Sequence, residues 1–236
     1  FPLHPEALLN YGTILLIKEE YMEGIKVLEK LIKIDPFEIK ALNNLANACI
    51  SINDLNQAKE YFERAIRIDP KYVEARYNFA NLLRQLKNEN QALEEYSRAI
   101  EINNKHIYAL NNRGELLTNL KRYNEAIKDF DRAIENNPYI YEFYINRGRA
   151  YEKNKDINYA CKDYESAKKI NPERWEAYLF NAEINRGINS LKAINDYRML
   201  LRLQPEKQEH KYELITELIN ANQFHEAENR ITEELR

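Results

Sequence analysis

The sequence predicts an all-α fold, a solenoid of about seven two-helix repeats. Three observations predict it. Six of the seven prolines fall at 2, 36, 70, 138, 172 and 205, at spacings of 34, 34, 68, 34 and 33 residues, and the skipped position, 104, holds Asn. A fixed period of this size marks an array in which each repeat is one supersecondary unit. Glycine is scarce, 5 in 236 residues, against a usual share of about 7%. Charged residues make up 31% and hydrophobic residues 44% of the chain, a balance that suits amphipathic helices and excludes collagen-like and disulfide-scaffold classes.

Aligned on the prolines, residues 1–236 read as a single array with repeats at about 5–38, 39–72, 73–106, 107–140, 141–174, 175–207 and 208–236. Each repeat holds a first helix at about positions 1–14 and a second at about 18–31. The first repeat opens on Pro5, where a helix start tolerates the missing N–H. Its small residues are Gly12 at position 8 and Gly24 at position 20, with Leu28 at 24 and Leu31 at 27. Repeats 2 to 5 carry Ala46, Ala80, Gly114 and Gly148 at position 8, and Ala58, Ala92, Ala126 and Ala160 at position 20. Position 24 reads Phe62, Tyr96, Phe130 and Tyr164, and position 27 reads Ala65, Ala99, Ala133 and Ala167. Small residues at 8 and 20 let the two helices approach, and the large residue at 24 fills the space above that contact. Proline at 32 cannot continue the second helix and ends it. Asn56, Asn90, Asn124 and Asn158, all at position 18, are expected as N-caps, because their side-chain oxygens accept orphan backbone N–H groups. The sixth repeat loses one residue around Gly187 and places Asn185 where an apolar residue is usual. The seventh keeps Ala227 and Ile231 but has Ile215 at the small position and Glu234 at position 27, which reads as the end of the array. Phe1-Pro2-Leu3 reads as a linker following an earlier second helix.

These recurrences resemble the tetratricopeptide repeat family. The resemblance spans essentially the whole chain and is most specific in repeats 1 to 5. It implies a right-handed α-solenoid that binds proteins or peptides. It also implies a concave groove lined by positions 2, 5, 6, 9 and 13 of the first helices.

Catalytic chemistry is not expected. The chain has no phosphate-cradling glycine loop, no HExxH, no GxSxG and no CxxC. His4, His106, His210 and His225 lie in different repeats without metal-ligand spacing and read as surface or linker residues. Asp129 and Asp131, and Asp163 and Glu165, read as lying outside the apolar stripe. Trp175 reads as packing on the preceding repeat. The reading is therefore a non-enzyme with no cofactor and no metal. The net charge is −3, with both signs interspersed, so no basic footprint for nucleic acid is present. No apolar run approaches the ~18 residues of a membrane span. Cys49 and Cys161 lie too far apart to pair in a linear array, which favours a reducing, cytoplasmic compartment.

One set of residues carries a functional expectation. Position 6 reads Asn10, Asn44, Asn78, Asn112 and Asn146 in five consecutive repeats, and position 9 adds Asn47 and Asn81. Asparagine is abundant throughout, with 29 residues, so only its placement is informative. A carboxamide both donates and accepts. A row of them can pair with the N–H and C=O of an extended peptide without reading its side chains. The arrangement resembles the asparagine ladder of O-linked N-acetylglucosamine transferases. Asn43 and Asn111 at position 5 read as further groove amides. Glu142, Arg149, Lys153, Glu176 and Glu183 read as a charged continuation. A carboxylate clamp, as in the family's chaperone-tail binders, is not expected: no position 6 is basic, and Lys40 is the only basic residue at position 2. The expected function is a scaffold that holds an extended peptide through these asparagines. Alternatives are a substrate-recruiting region of a larger enzyme, such as a glycosyltransferase, and self-association through repeat 1. Alanine at the ladder positions is expected to weaken peptide binding and leave stability nearly unchanged.

Overall fold

The computed structural model describes residues 4–234, with side chains to 232. The readings of Phe1-Pro2-Leu3 and of the Glu234 side chain lie outside what is described. Among the described residues there are fourteen helices and no strands. They are α1 (Pro5–Ile17), α2 (Tyr21–Ile34), α3 (Ile39–Ser51), α4 (Leu55–Ile68), α5 (Val73–Gln85), α6 (Glu89–Ile102) and α7 (Ile107–Asn119). There follow α8 (Tyr123–Asn136), α9 (Tyr141–Lys153), α10 (Ile157–Ile170), α11 (Trp175–Asn185), α12 (Ser190–Leu203), α13 (Gln208–Asn220) and α14 (Phe224–Glu234). Packing divides the chain into an N-terminal unit, Phe1–Leu116, and a C-terminal unit, Leu117–Arg236.

In the N-terminal unit, α1 packs on α2, α3 on α4 and α5 on α6 as hairpins. Each second helix then packs on the next first helix, α2 on α3 and α4 on α5. The first helices α1, α3 and α5 also touch in order, so they form one continuous face. In the C-terminal unit, α9–α10, α11–α12 and α13–α14 are hairpins, and α8–α9, α10–α11 and α12–α13 join them. This consecutive packing is that of a solenoid repeat.

The repeat pattern explains the core. Leu28, Phe62, Tyr96, Phe130, Tyr164 and Tyr197 are fully or almost fully buried, as are the alanines at positions 20 and 27. Position 24 also touches the next repeat: the Phe62 and Phe79 rings lie 6.0 Å apart and the Tyr164 and Phe180 rings 5.6 Å apart. Each such aromatic contributes roughly 1.5–3 kcal/mol by burial. Small residues at position 8 are steric requirements. A Cβ on Gly12 would lie 2.6 Å from Leu28, and one on Gly148 would lie 2.6 Å from Tyr164.

The hairpin turn is equally regular. Glu19, Asn53, Lys87, Lys121, Lys155 and Asn222, at position 15, all adopt φ between 59° and 68°. The following N–H reaches back to the first helix: Asp54 N–H to the Cys49 carbonyl at 2.8 Å and Asn88 N–H to the Leu83 carbonyl at 2.8 Å. That bond satisfies orphan carbonyls at the helix end. In repeat 6 the deletion shortens the first helix to 11 residues, and Gly187, at φ 71°, makes the turn instead.

Two local expectations need correction. The second helices begin at position 17, so the capping residue is at 16, where Asp54 accepts from the Gln57 N–H at 3.1 Å. Asn56, Asn90, Asn124 and Asn158 stand inside the first turn and are exposed; they are not caps. The asparagines and aspartates that shape local structure are instead at position 31. Asp35, Asp69, Asn103, Asn137 and Asn171 each accept from the N–H two residues on, at 2.8–3.2 Å. A short polar side chain before a linker mimics a backbone turn in this way.

Candidate functional site

The first-helix face of the N-terminal unit carries most of the expected asparagines. Asn10 is exposed on α1. Asn44, Asn47, Asn78, Asn81 and Asn112 are half-buried on α3, α5 and α7. Three of them tie one first helix to the one before it. Asn44 Nδ2 donates to Thr13 Oγ1 at 3.1 Å, and Asn78 Nδ2 donates to Asn43 Oδ1 at 3.1 Å. Asn112 Nδ2 donates to Asn81 Oδ1 at 2.9 Å and to the Tyr77 hydroxyl at 3.2 Å. Asn81 Oδ1 also accepts from the buried Tyr96 hydroxyl. The Asn44, Asn78 and Asn112 amides are therefore oriented by the preceding repeat. Among the described residues, Asn44 and Asn78 spend a donor and leave the oxygen unbonded, and the Asn10 and Asn47 amides make no hydrogen bond.

Asn44 and Asn47 line a pocket of about 280 Å³ with Thr13, Leu16, Ile17, Tyr21, Ala48 and Ser51. The expectation for position 5 was different from what is found. Asn43 and Asn111 are only 7% and 6% exposed, and Asn43 serves as the acceptor for Asn78 of the next first helix. Asn111 Nδ2 donates to Asn112 Oδ1 at 3.2 Å and to Glu115 Oε1 at 3.0 Å.

The remaining site residues lie in the C-terminal unit. Asn146 is half-buried on α9. Arg149 is exposed, and its guanidinium stands 5.7 Å from the Phe180 ring centre on α11. Glu142 and Glu176 are both paired with Arg174, the latter at 2.7 Å, so part of the expected charged continuation is engaged between repeats.

Sequence reasoning missed a second polar array, this one buried. Asp129 and Asp163 are each 4% exposed rather than outside the apolar stripe. Arg147 forks onto Asp163 at 2.8 and 2.7 Å and reaches Asp131 of the preceding repeat at 2.6 Å. Asn181 repeats the bridge one unit on, donating to Asp196 at 2.7 Å and Glu165 at 2.9 Å. Lys168 adds a contact to Asp196 at 2.5 Å. In the N-terminal unit, Arg76 joins Glu95 and the Pro70 carbonyl. Burial pushes the Asp163 and Asp196 carboxyls above the usual range, against the pull of Arg147 on the first and Lys168 on the second. Burial opposes charge on Arg147, but its bonds to Asp163 and Asp131 hold the guanidinium protonated. The signal was available: Glu95, Asp129 and Asp163 recur at position 23, and Arg147, at position 7, faces Asp163. His210 is also a correction. It is buried, not on the surface, with Nε2 3.2 Å from the Gln204 side-chain oxygen. Trp175 remains 37% exposed.

Comparison with known proteins follows the same pattern. Models of the tetratricopeptide repeat match residues 5–38 and 141–174, 39–72 and 107–139, and 61–94. No curated protein matches the chain significantly. Among solved structures, YrrB, described as a TPR protein with an unusual peptide-binding site, is 22% identical. The match covers 74% of this chain and 90% of that one, with a TM-score of 0.64. Pseudomonas aeruginosa pilF is 17% identical over 88% of this chain and 95% of its own, with a TM-score of 0.75. MamA from Desulfovibrio magneticus RS-1 is 18% identical over 72% and 96%, with a TM-score of 0.67.

Proposed function

The chain belongs to the tetratricopeptide repeat family, and from that premise we propose that it is a binding scaffold, not a catalyst, that holds an extended peptide on the first-helix face of its N-terminal unit. The observation that carries the reading is the state of the asparagines. Asn44 and Asn78 are fixed by a bond to the preceding repeat while their oxygens stay unbonded. Those oxygens can accept N–H groups of an extended strand, and Asn10 and Asn47 can both donate and accept. Fixing a polar group before the ligand arrives lowers the ordering cost of binding. The fold supports the general role, since a TPR protein of similar structure has a peptide-binding site by its own description.

Asn47 gives the cleanest test, because its amide bonds nothing in the described protein. Asn47→Ala should leave the melting temperature within error of wild type. It should also weaken peptides selected on this face by roughly two- to tenfold, the worth of one net hydrogen bond. Unchanged affinity for every such peptide would remove Asn47 from the site.

A further inference from the structure

The pocket of about 280 Å³ at the junction of repeats 1 and 2 has a distinct chemistry. All eight lining residues are uncharged. Leu16, Ile17, Tyr21 and Ala48 supply apolar wall. Thr13 and Ser51 have already committed their hydroxyl protons. Thr13 Oγ1 donates to the Leu9 carbonyl at 2.7 Å and accepts from Asn44, and Ser51 Oγ donates to the Asn47 carbonyl at 3.3 Å. Among the described residues, the Asn44 oxygen, the Asn47 amide and the Tyr21 hydroxyl make no hydrogen bond and are the open polar groups of the pocket. Ala48 is buried, whereas Ile17 is 76% exposed at the end of α1. A large aliphatic side chain so exposed beside a concavity lowers its free energy by gaining an apolar neighbour.

We propose that this pocket is an anchor subsite that accepts one uncharged aliphatic side chain of the bound segment. The proposal rests on the peptide-binding reading above and adds a side-chain preference to it. The Asn44 oxygen and the Asn47 amide hold the backbone on either side of the anchor, and the apolar wall takes the side chain. A charged side chain would be desolvated there without a counter-charge, because no lining residue carries one. Ligand recognition at this point thus combines a sequence-independent backbone contact with a selective apolar one. Pockets of this kind fix orientation with a few polar groups and draw affinity from apolar lining.

The test uses the intact chain and a phage-displayed library of random dodecapeptides. Peptides recovered on wild type should share one aliphatic position, and replacing that residue by alanine should weaken binding by roughly tenfold. Ile17→Lys places a charge at the pocket mouth on an exposed site, and Lys suits a helix C-terminus, so folding should be retained by circular dichroism. This variant should abolish the advantage of the aliphatic residue over alanine. Asn47→Ala should instead weaken aliphatic and alanine versions by the same factor. Recovered peptides that lose affinity in Asn47→Ala but show no aliphatic preference would overturn the anchor and leave the backbone reading standing. Failure to recover any peptide, or recovery only of peptides indifferent to both variants, would overturn both.

Discussion

Replacing Arg147 by alanine strands Asp163, a carboxylate buried in the stack of the C-terminal unit. Loss of one partner of a buried pair costs about 3–5 kcal/mol, and denaturant unfolding should register it. Asp131, the other partner, is 41% exposed on its side chain, so Asp131→Ala should cost less than about 1 kcal/mol. Similar costs for both variants would mean the Asp163 pair is not the buried element of the array. Gly148→Ala is a second residue-scale prediction. Alanine gains up to about 1 kcal/mol in helix propensity. Its Cβ would nonetheless lie 2.6 Å from the Tyr164 ring, and overpacking of that kind costs about 1–3 kcal/mol. A net loss of stability is expected on thermal melting. The glycine's role was legible from the repeat, because position 8 is small in repeats 1 to 6, where position 24 is large. The Arg147 fork was not, since an acid flanking a core aromatic reads as solvent-facing until the neighbouring repeat is in place to cover it.

At the scale of the element, helix positions followed from proline and the small-residue period, and every first helix starts where the alignment put it. The second-helix starts were misplaced by one residue, because a run of asparagines at position 18 outweighed the less uniform position 16. Backbone geometry decides the point: the chain emerges from a left-handed residue at 15 and enters the helix at 17. That turn makes its own prediction. Lys87 adopts φ 60°, which costs a side-chain-bearing residue roughly 1–2 kcal/mol relative to glycine. Lys87→Gly should therefore raise, or at least not lower, the stability of the α5–α6 hairpin in denaturant. The ladder asparagines also act at this scale. Asn78→Ala leaves the buried Asn43 oxygen without its donor and should cost about 1–3 kcal/mol. The sequence alone suggested such variants would be thermally silent, because it reveals which face an amide is on but not which neighbouring helix it reaches.

Across the whole molecule, burial of tyrosines at repeat contacts couples stability to alkaline pH. Burial first, then nearby acids, pushes Tyr61 and Tyr197 up to about 12. Burial also pushes Tyr141 up to about 12, against the bond its hydroxyl accepts from the Ala177 N–H. In the unfolded chain these groups ionise near pH 10. Their contribution is thus fully present below pH 10 and is lost as pH rises toward 12. Melting temperature should fall steeply across that window, and a flat profile would contradict the burial of these rings. The central claim, that an extended backbone is held by asparagines on the N-terminal unit, is tested most directly on the ligand. A peptide selected on this face would be titrated calorimetrically against the intact chain, alongside versions with single backbone amides replaced by esters. An ester removes the N–H and keeps every side chain. Esters at alternate positions should weaken binding by roughly two- to tenfold each. Equal affinity for the all-amide peptide and every ester version would show that the asparagine oxygens accept nothing from the ligand backbone.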